Sequence, residues 1–168
     1  GDGRTEALLS RTQGGMVSFK RDGREMVLRR PAITCFRPLT DNDRGNGSGF
    51  DRVRWFGAGR YARIANQQFS QTETGVIAEY TYTLAEPGET QVAVRYEVDA
   101  ASGRVHLAAR YAGATDAPTL PAFGLEWTLP KQYENLRFYG LGPEETYRDR
   151  LHGGKLGIFE RTAAEDNA

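Results

Sequence analysis

The chain has 168 residues, enough for one domain with a sizeable core and short for two ordinary ones. Lysine plus arginine equals aspartate plus glutamate at 22 each, so no overall charge draws it to nucleic acid or to an anionic membrane. No apolar run approaches the roughly 20 residues needed to span a bilayer, and with Cys35 as the single cysteine no internal disulfide can form.

In chain order, residues 1–15 read as an N-terminal extension or first strand. Val17 and Phe19 then lead into Asp22-Gly23, a hairpin signal, with Met26 and Leu28 on the return strand. Ile33 and Cys35 alternate in an apolar segment ending at Phe36, which makes Cys35 an inert buried thiol. The polar run Thr40 to Gly47 follows and reads as a turn or a site. One helix is expected, Phe50 to Phe56, with Ser48 as its cap and Gly57 as its stop.

Beyond Gly57 the periodicity is two. Val76, Ala78, Tyr80, Tyr82 and Leu84 share one strand face, Pro87-Gly88 supplies a turn, and Val92, Val94, Tyr96 and Val98 share the next. Ser102-Gly103 turns the chain again into Val105, Leu107, Ala109 and Tyr111, giving a three-strand meander. Phe123, Leu125, Trp127 and Leu129 alternate between Pro121 and Pro130. Tyr133 to Gly142 is a further strand, and Leu156, Ile158 and Phe159 form a last apolar segment before a polar tail, 161–168. The fold class is therefore all-β and antiparallel, with one main domain over 16–160. An ending so soon after a new strand implies a segment cut from a larger sheet protein.

Chemistry is sparse outside two clusters. Asp41, Asn42 and Asp43 offer oxygen ligands, but a helix-loop-helix calcium site needs an oxygen ligand at the fifth position and a glutamate at the twelfth. Counting from Asp41, those positions hold Gly45 and Arg52. The alternatives are a sugar site, since carboxylate, carboxamide and guanidinium groups recognise hydroxyls, or a self-satisfied loop. In such a loop the aspartate and asparagine side chains accept backbone N–H bonds, Arg44 pairs with a carboxylate, and Gly45 and Gly47 take positive φ. Glu144, Glu145 and Asp149 cluster with Arg148 and Arg150, the balance of a salt-bridged loop rather than of a catalytic carboxylate pair. Gly140-Leu141-Gly142 lacks the third glycine of a dinucleotide fingerprint, and the Asn46-Gly47-Ser48 sequon is common by chance. His106 and His152 have no further ligand spaced to help them hold a metal. Trp55, Trp127, Tyr139 and Tyr147 are either core or sugar-stacking aromatics.

Two stretches, Arg37-Pro38-Leu39-Thr40-Asp41-Asn42-Asp43-Arg44-Gly45-Asn46-Gly47 and Tyr139 through Arg150, taken in order with Trp55 and Gly57-Ala58-Gly59 between them, resemble the C-terminal domain of the large bacterial β-galactosidases of glycoside hydrolase family 2. The resemblance runs from about Met16 to Phe159. It implies a galactose-mutarotase-like β-supersandwich, incomplete at its C-terminal end, that packs beside a catalytic (β/α)₈ barrel holding both catalytic glutamates. No residue here inherits a catalytic role, and the aromatic side chain that the family domain lends to the galactose site belongs to a later part of it. The resemblance further implies β-galactoside as the ligand of the intact enzyme, no metal or other cofactor in this segment, and divalent metal, where used, in the barrel. Thr146 stands where the family has asparagine. Asp41, Asn42, Asp43, Arg44, Glu145, Tyr147 and Asp149 are the signature residues, structural or carbohydrate-binding. Two other readings are a stand-alone carbohydrate-binding module and an aldose epimerase with a Glu base and a His acid. Cytoplasm and periplasm are not distinguished.

Overall fold

A computed structural model describes residues 3–85 and 90–165. These fall into two compact units, Gly1–Thr128 and Leu129–Ala168. Both are built from antiparallel strands, and the protein is an all-β sandwich with short helical turns.

The first unit opens with β1 (Thr5–Ser10), β2 (Gly15–Arg21) and β3 (Arg24–Glu25), an antiparallel sheet in the order β1-β2-β3. The N-terminal segment is thus a strand. Asp22 and Gly23 both adopt positive φ, 49° and 74°, as a two-residue turn matched to strand twist requires. The return strand is shorter than expected. Past Glu25 the chain leaves β2, the Leu28 N–H donates to the Thr128 carbonyl, and Val27 rather than Met26 or Leu28 becomes the buried residue. Glu25 braces this crossing: its carboxylate accepts from the Ser18 hydroxyl at 2.5 Å and from the N–H groups of Phe19, Met26 and Val27. The Ser18 bond, followed by those backbone bonds, holds the carboxyl below its ordinary range.

β4 (Arg29–Thr34) pairs with β9 (Gly124–Thr128), Ile33 opposite Leu125. The remaining strands, β5 (Arg63–Gln71), β6 (Gly75–Thr83), β7 (Gln91–Asp99) and β8 (Arg104–Tyr111), form one sheet in chain order. The expected meander is three of its four strands. β5 was invisible to periodicity because Asn66, Gln67, Gln68 and Ser70 interrupt its apolar residues. The Pro87-Gly88 turn lies outside the described residues.

The core sits between these layers. Ala78, Tyr80, Tyr82, Leu84, Val92, Val94 and Tyr96 meet Met16, Val27, Ile33, Cys35, Trp55 and Ala58, all buried. Tyr80 and Tyr82 stack at 6.2 Å between centroids, and their hydroxyls donate to the carbonyls of Ser10 and Gly14. Each phenol is thereby satisfied inside the core. Trp127 and Leu129, expected to continue the inward face of Phe123 and Leu125, are exposed instead.

The second unit holds β10 (Asn135–Gly142) and β11 (Lys155–Thr162), an antiparallel pair with eight consecutive partners, among them Phe138 opposite Phe159 and Gly140 opposite Gly157.

Candidate functional site

The polar run after β4 is not a loop. Asp41–Gly45 forms a short helix, α1, because Thr40 and Asp43 close a reciprocal cap. The Asp43 N–H donates to Thr40 Oγ1, and the Thr40 N–H donates to Asp43 Oδ2 at 3.0 Å. Gly45 therefore lies inside a helical turn, and only Gly47 of the two glycines takes positive φ, 71°.

Asp43 is 2% exposed and fully engaged. Its Oδ2 also accepts from Arg37 Nη1 at 2.7 Å, and its Oδ1 accepts from Arg52 Nη1. The carboxylate joins three chain segments: the strand exit at Arg37, the cap of α1, and the following helix. A buried charge is tolerated when it is paired and hydrogen-bonded in this way. Sequence reasoning picked out Asp43 but missed both arginine partners. Arg44 pairs with a carboxylate as expected, that of Asp41, at 3.7 Å on the exposed face. Asn46 Oδ1 accepts from the Ser48 N–H, as an asparagine turn does. Asp41, Asn42 and Arg44 all lie on the surface of α1.

The helix expected over Phe50 to Phe56 is split. Gly49–Arg52 forms α2, and Val53–Trp55 tightens into a 3₁₀ turn. Ser48 has helical φ and ψ and makes no side-chain cap bond. Trp55 is buried, its Nε1 donating to the Pro118 carbonyl at 3.0 Å, while Phe50 (86%), Val53 and Phe56, which the sequence spaces near one helix face, are exposed. A mostly apolar groove of about 420 Å³ is lined by Leu39, Gly47, Gly49, Phe50 and Val53 together with Asp43 and Arg44. Its two charged wall residues are already engaged, Asp43 by Arg37, Arg52 and the Thr40 N–H, and Arg44 by Asp41.

In the second unit, Glu145, Tyr147 and Asp149 lie in the loop between β10 and β11. Arg150 approaches Glu145 at 3.6 Å and lies over the Tyr147 ring at 5.5 Å. The carboxylates are exposed, and the loop is salt-bridged as its charge balance indicated. Tyr139 is exposed and Tyr147 is half-buried. Among the described residues, no group of three or more His, Cys, Asp or Glu side chains is placed to hold a metal. His106 points to the polar side of β8, opposite Glu97 on β7. Cys35 is 1% exposed, and desolvation pushes its thiol up to about 11, so it carries no nucleophile at neutral pH.

The family model of the beta galactosidase small chain matches residues 1–168, the whole sequence. The chain belongs to the beta-galactosidase small-chain family. Among its relatives, the beta-galactosidase BgaC of Bifidobacterium adolescentis is 57% identical over 171 residues, covering 100% of this chain and 16% of that protein. The beta-galactosidase of Lactobacillus delbrueckii subsp. bulgaricus is 44% identical, over 92% of this chain and 15% of its own length. The beta-galactosidase small subunit of Latilactobacillus sakei is 33% identical, over 92% of this chain and 54% of the subunit. This small-chain sequence thus spans about a sixth of the first two relatives and about half of the third.

Proposed function

We propose that the chain is a non-catalytic accessory domain of a β-galactosidase-type glycoside hydrolase of family 2, whose intact form hydrolyses terminal β-galactosides. On this reading the acid and nucleophile carboxylates, together with any divalent metal, belong to a barrel domain outside this sequence, and the present fold is a piece of a mutarotase-like supersandwich. The observation that carries the proposal is the state of Asp43. Glycoside hydrolysis needs two carboxyl groups aimed at one bond, free to pass a proton or to attack. The most deeply buried acid of the signature is instead consumed by two guanidinium groups and a backbone N–H. The carboxylates of the second signature stand exposed on a surface loop beside Arg150, not enclosed as a pair around one bond.

The roles proposed for the signature residues follow. Asp43, with Arg37 and Arg52, locks the helical segment to β4. Asp41, Asn42 and Arg44 solvate α1. Glu145, Tyr147 and Asp149 order the loop between β10 and β11. The partner of the chain is the catalytic domain, and sugar is met through the intact enzyme. The apolar lining of the groove beside Asp43 weighs against an independent sugar site there.

Two preparations test this. The 168-residue chain alone is expected to hydrolyse an aryl β-galactoside no faster than buffer. A chimera of the Bifidobacterium adolescentis enzyme, in which this chain replaces the matching stretch, is expected to retain hydrolysis. Turnover by the isolated chain, or a folded but inactive chimera, would refute the proposal.

A further inference from the structure

Asn46-Gly47 is the one Asn-Gly pair in the sequence, and the fold leaves it open to reaction with itself. An asparagine carboxamide is consumed when the main-chain nitrogen of the next residue adds to its Cγ, and a glycine there puts no Cβ in the way. Both residues are exposed. Gly47 takes positive φ, 71°, with nothing within 4 Å of the place a Cβ would occupy. Asn46 caps the C-terminal end of α1, and its Oδ1 accepts from the Ser48 N–H at 2.9 Å. That bond folds the carboxamide back along its own main chain and draws electrons from the carbonyl carbon. The Gly47 N–H donates to the Arg44 carbonyl at 3.4 Å, beyond the roughly 3.2 Å of an ordinary N–H···O bond. α1 is five residues long, and Asp43 anchors its first turn rather than its last. The other asparagines among the described residues are held differently. Asn42 lies inside α1, where the next N–H, that of Asp43, donates to Thr40 Oγ1. Asn66 and Asn135 lie in paired strands, followed by Gln67 and Leu136.

We propose that Asn46 is a site of spontaneous deamidation and that its isoaspartate product loosens the Asp43 clamp. The Gly47 nitrogen forms a bond to Asn46 Cγ, the Cγ–Nδ2 bond breaks, and ammonia leaves with the proton that the Gly47 nitrogen gives up. Water then opens the resulting succinimide, so no oxidant or other reactant is required. Attack at the side-chain carbonyl gives aspartate. Attack at the main-chain carbonyl gives isoaspartate, in which the chain runs through the former side chain and gains a methylene. That methylene enters the chain between Asp43 and its partner Arg52, whose pairing depends on the turn that joins α1 to α2. Either product also places a negative charge at the C-terminal end of α1, where the free carbonyl groups already concentrate one.

Ageing the Bifidobacterium adolescentis chimera in native buffer at mildly alkaline pH tests this, with peptide mass spectrometry and methyltransferase labelling of isoaspartate as readouts. The 168-residue chain is aged beside it and decides the matter if the chimera does not fold. Asn46 is expected to convert at least about tenfold faster than Asn42, Asn66 or Asn135. Its rate is expected to be no less than about a tenth of that in the same protein unfolded in urea. The Asn46→Gln variant is expected to stay unmodified at this position. In urea unfolding, the aged protein is expected to gain a component of lower midpoint that the Asn46→Asp variant, which carries the charge alone, lacks. Conversion confined to the urea-unfolded protein would overturn the site, because the folded turn would then shield it. Isoaspartate that forms without lowering the midpoint below that of Asn46→Asp would overturn the effect on the clamp. Hydrolysis is not a readout, so the result is independent of the enzyme reading.

Discussion

Asp43 gathers into one side chain what its neighbours share: a helix cap, two arginines and almost complete burial. Removing it leaves the Thr40 N–H and two guanidinium groups without their acceptor. The arginines are partly exposed and regain water, so Asp43→Ala is expected to cost about 2 kcal/mol, near the middle of the range for losing a buried hydrogen-bond partner. Urea unfolding measures this. An unchanged unfolding midpoint together with lost galactoside binding would return the residue to a ligand role. Cys35 gives a second residue-scale prediction. Desolvation lifts its folded pKa from 9.0 to about 11. An acid whose folded pKa is raised favours folding fully below the unfolded value. Above pH 9 the unfolded thiol ionises while the folded one does not. This contribution therefore disappears as pH rises from 9 to about 11. Replacing Cys35 by alanine is expected to flatten the stability profile in that window, and in the native protein the thiol is expected to resist alkylation at pH 8.

At the scale of elements, the run from Arg37 to Tyr61 shows how local pattern and packing diverge. The spacing of Phe50, Val53 and Phe56 describes a helix face, yet the buried residue is Trp55, which bonds to Pro118 and packs edge-on against Tyr111 at 6.2 Å. Tertiary anchoring by the larger ring rotates the segment and tightens its end into a 3₁₀ turn. The turn that follows must pass close to β4. A Cβ at Gly59 would lie 1.9 Å from the Ile33 carbonyl oxygen, a backbone atom that cannot swing aside. Gly59→Ala is therefore expected to destabilise the first unit by about 1–3 kcal/mol, as overpacking does. Thermal unfolding checks this, and a variant as stable as the parent would mean that the approach is looser than described. The Asp22-Gly23 hairpin, by contrast, was legible in two letters, because few residue pairs accept positive φ twice.

For the whole molecule, the two-residue period of residues 76–111 determined by itself an antiparallel all-β protein and the inward faces of β6 and β7, save Val76 at the start of β6, which is exposed. A half-buried sheet forces that alternation on any sequence that folds this way. The two signature stretches likewise pointed to a β-galactosidase chain, and the match to the beta galactosidase small chain over residues 1–168 bears out that much. The composition also showed that no apolar run is long enough for a membrane helix. Only tertiary structure decided the rest. β5 became a strand through pairing with β6 despite its polar residues, since backbone hydrogen bonds to a formed sheet override weak local preference. Val27 was buried in place of its neighbours because the chain changes sheets after Glu25, an event set by the partner strand at Thr128 and not by local period. Asp43 found Arg37 and Arg52 rather than Arg44 because residues six and nine positions away were folded back onto it. Charge complementarity can be read along a chain; which charges meet is fixed by the path that the backbone takes through space.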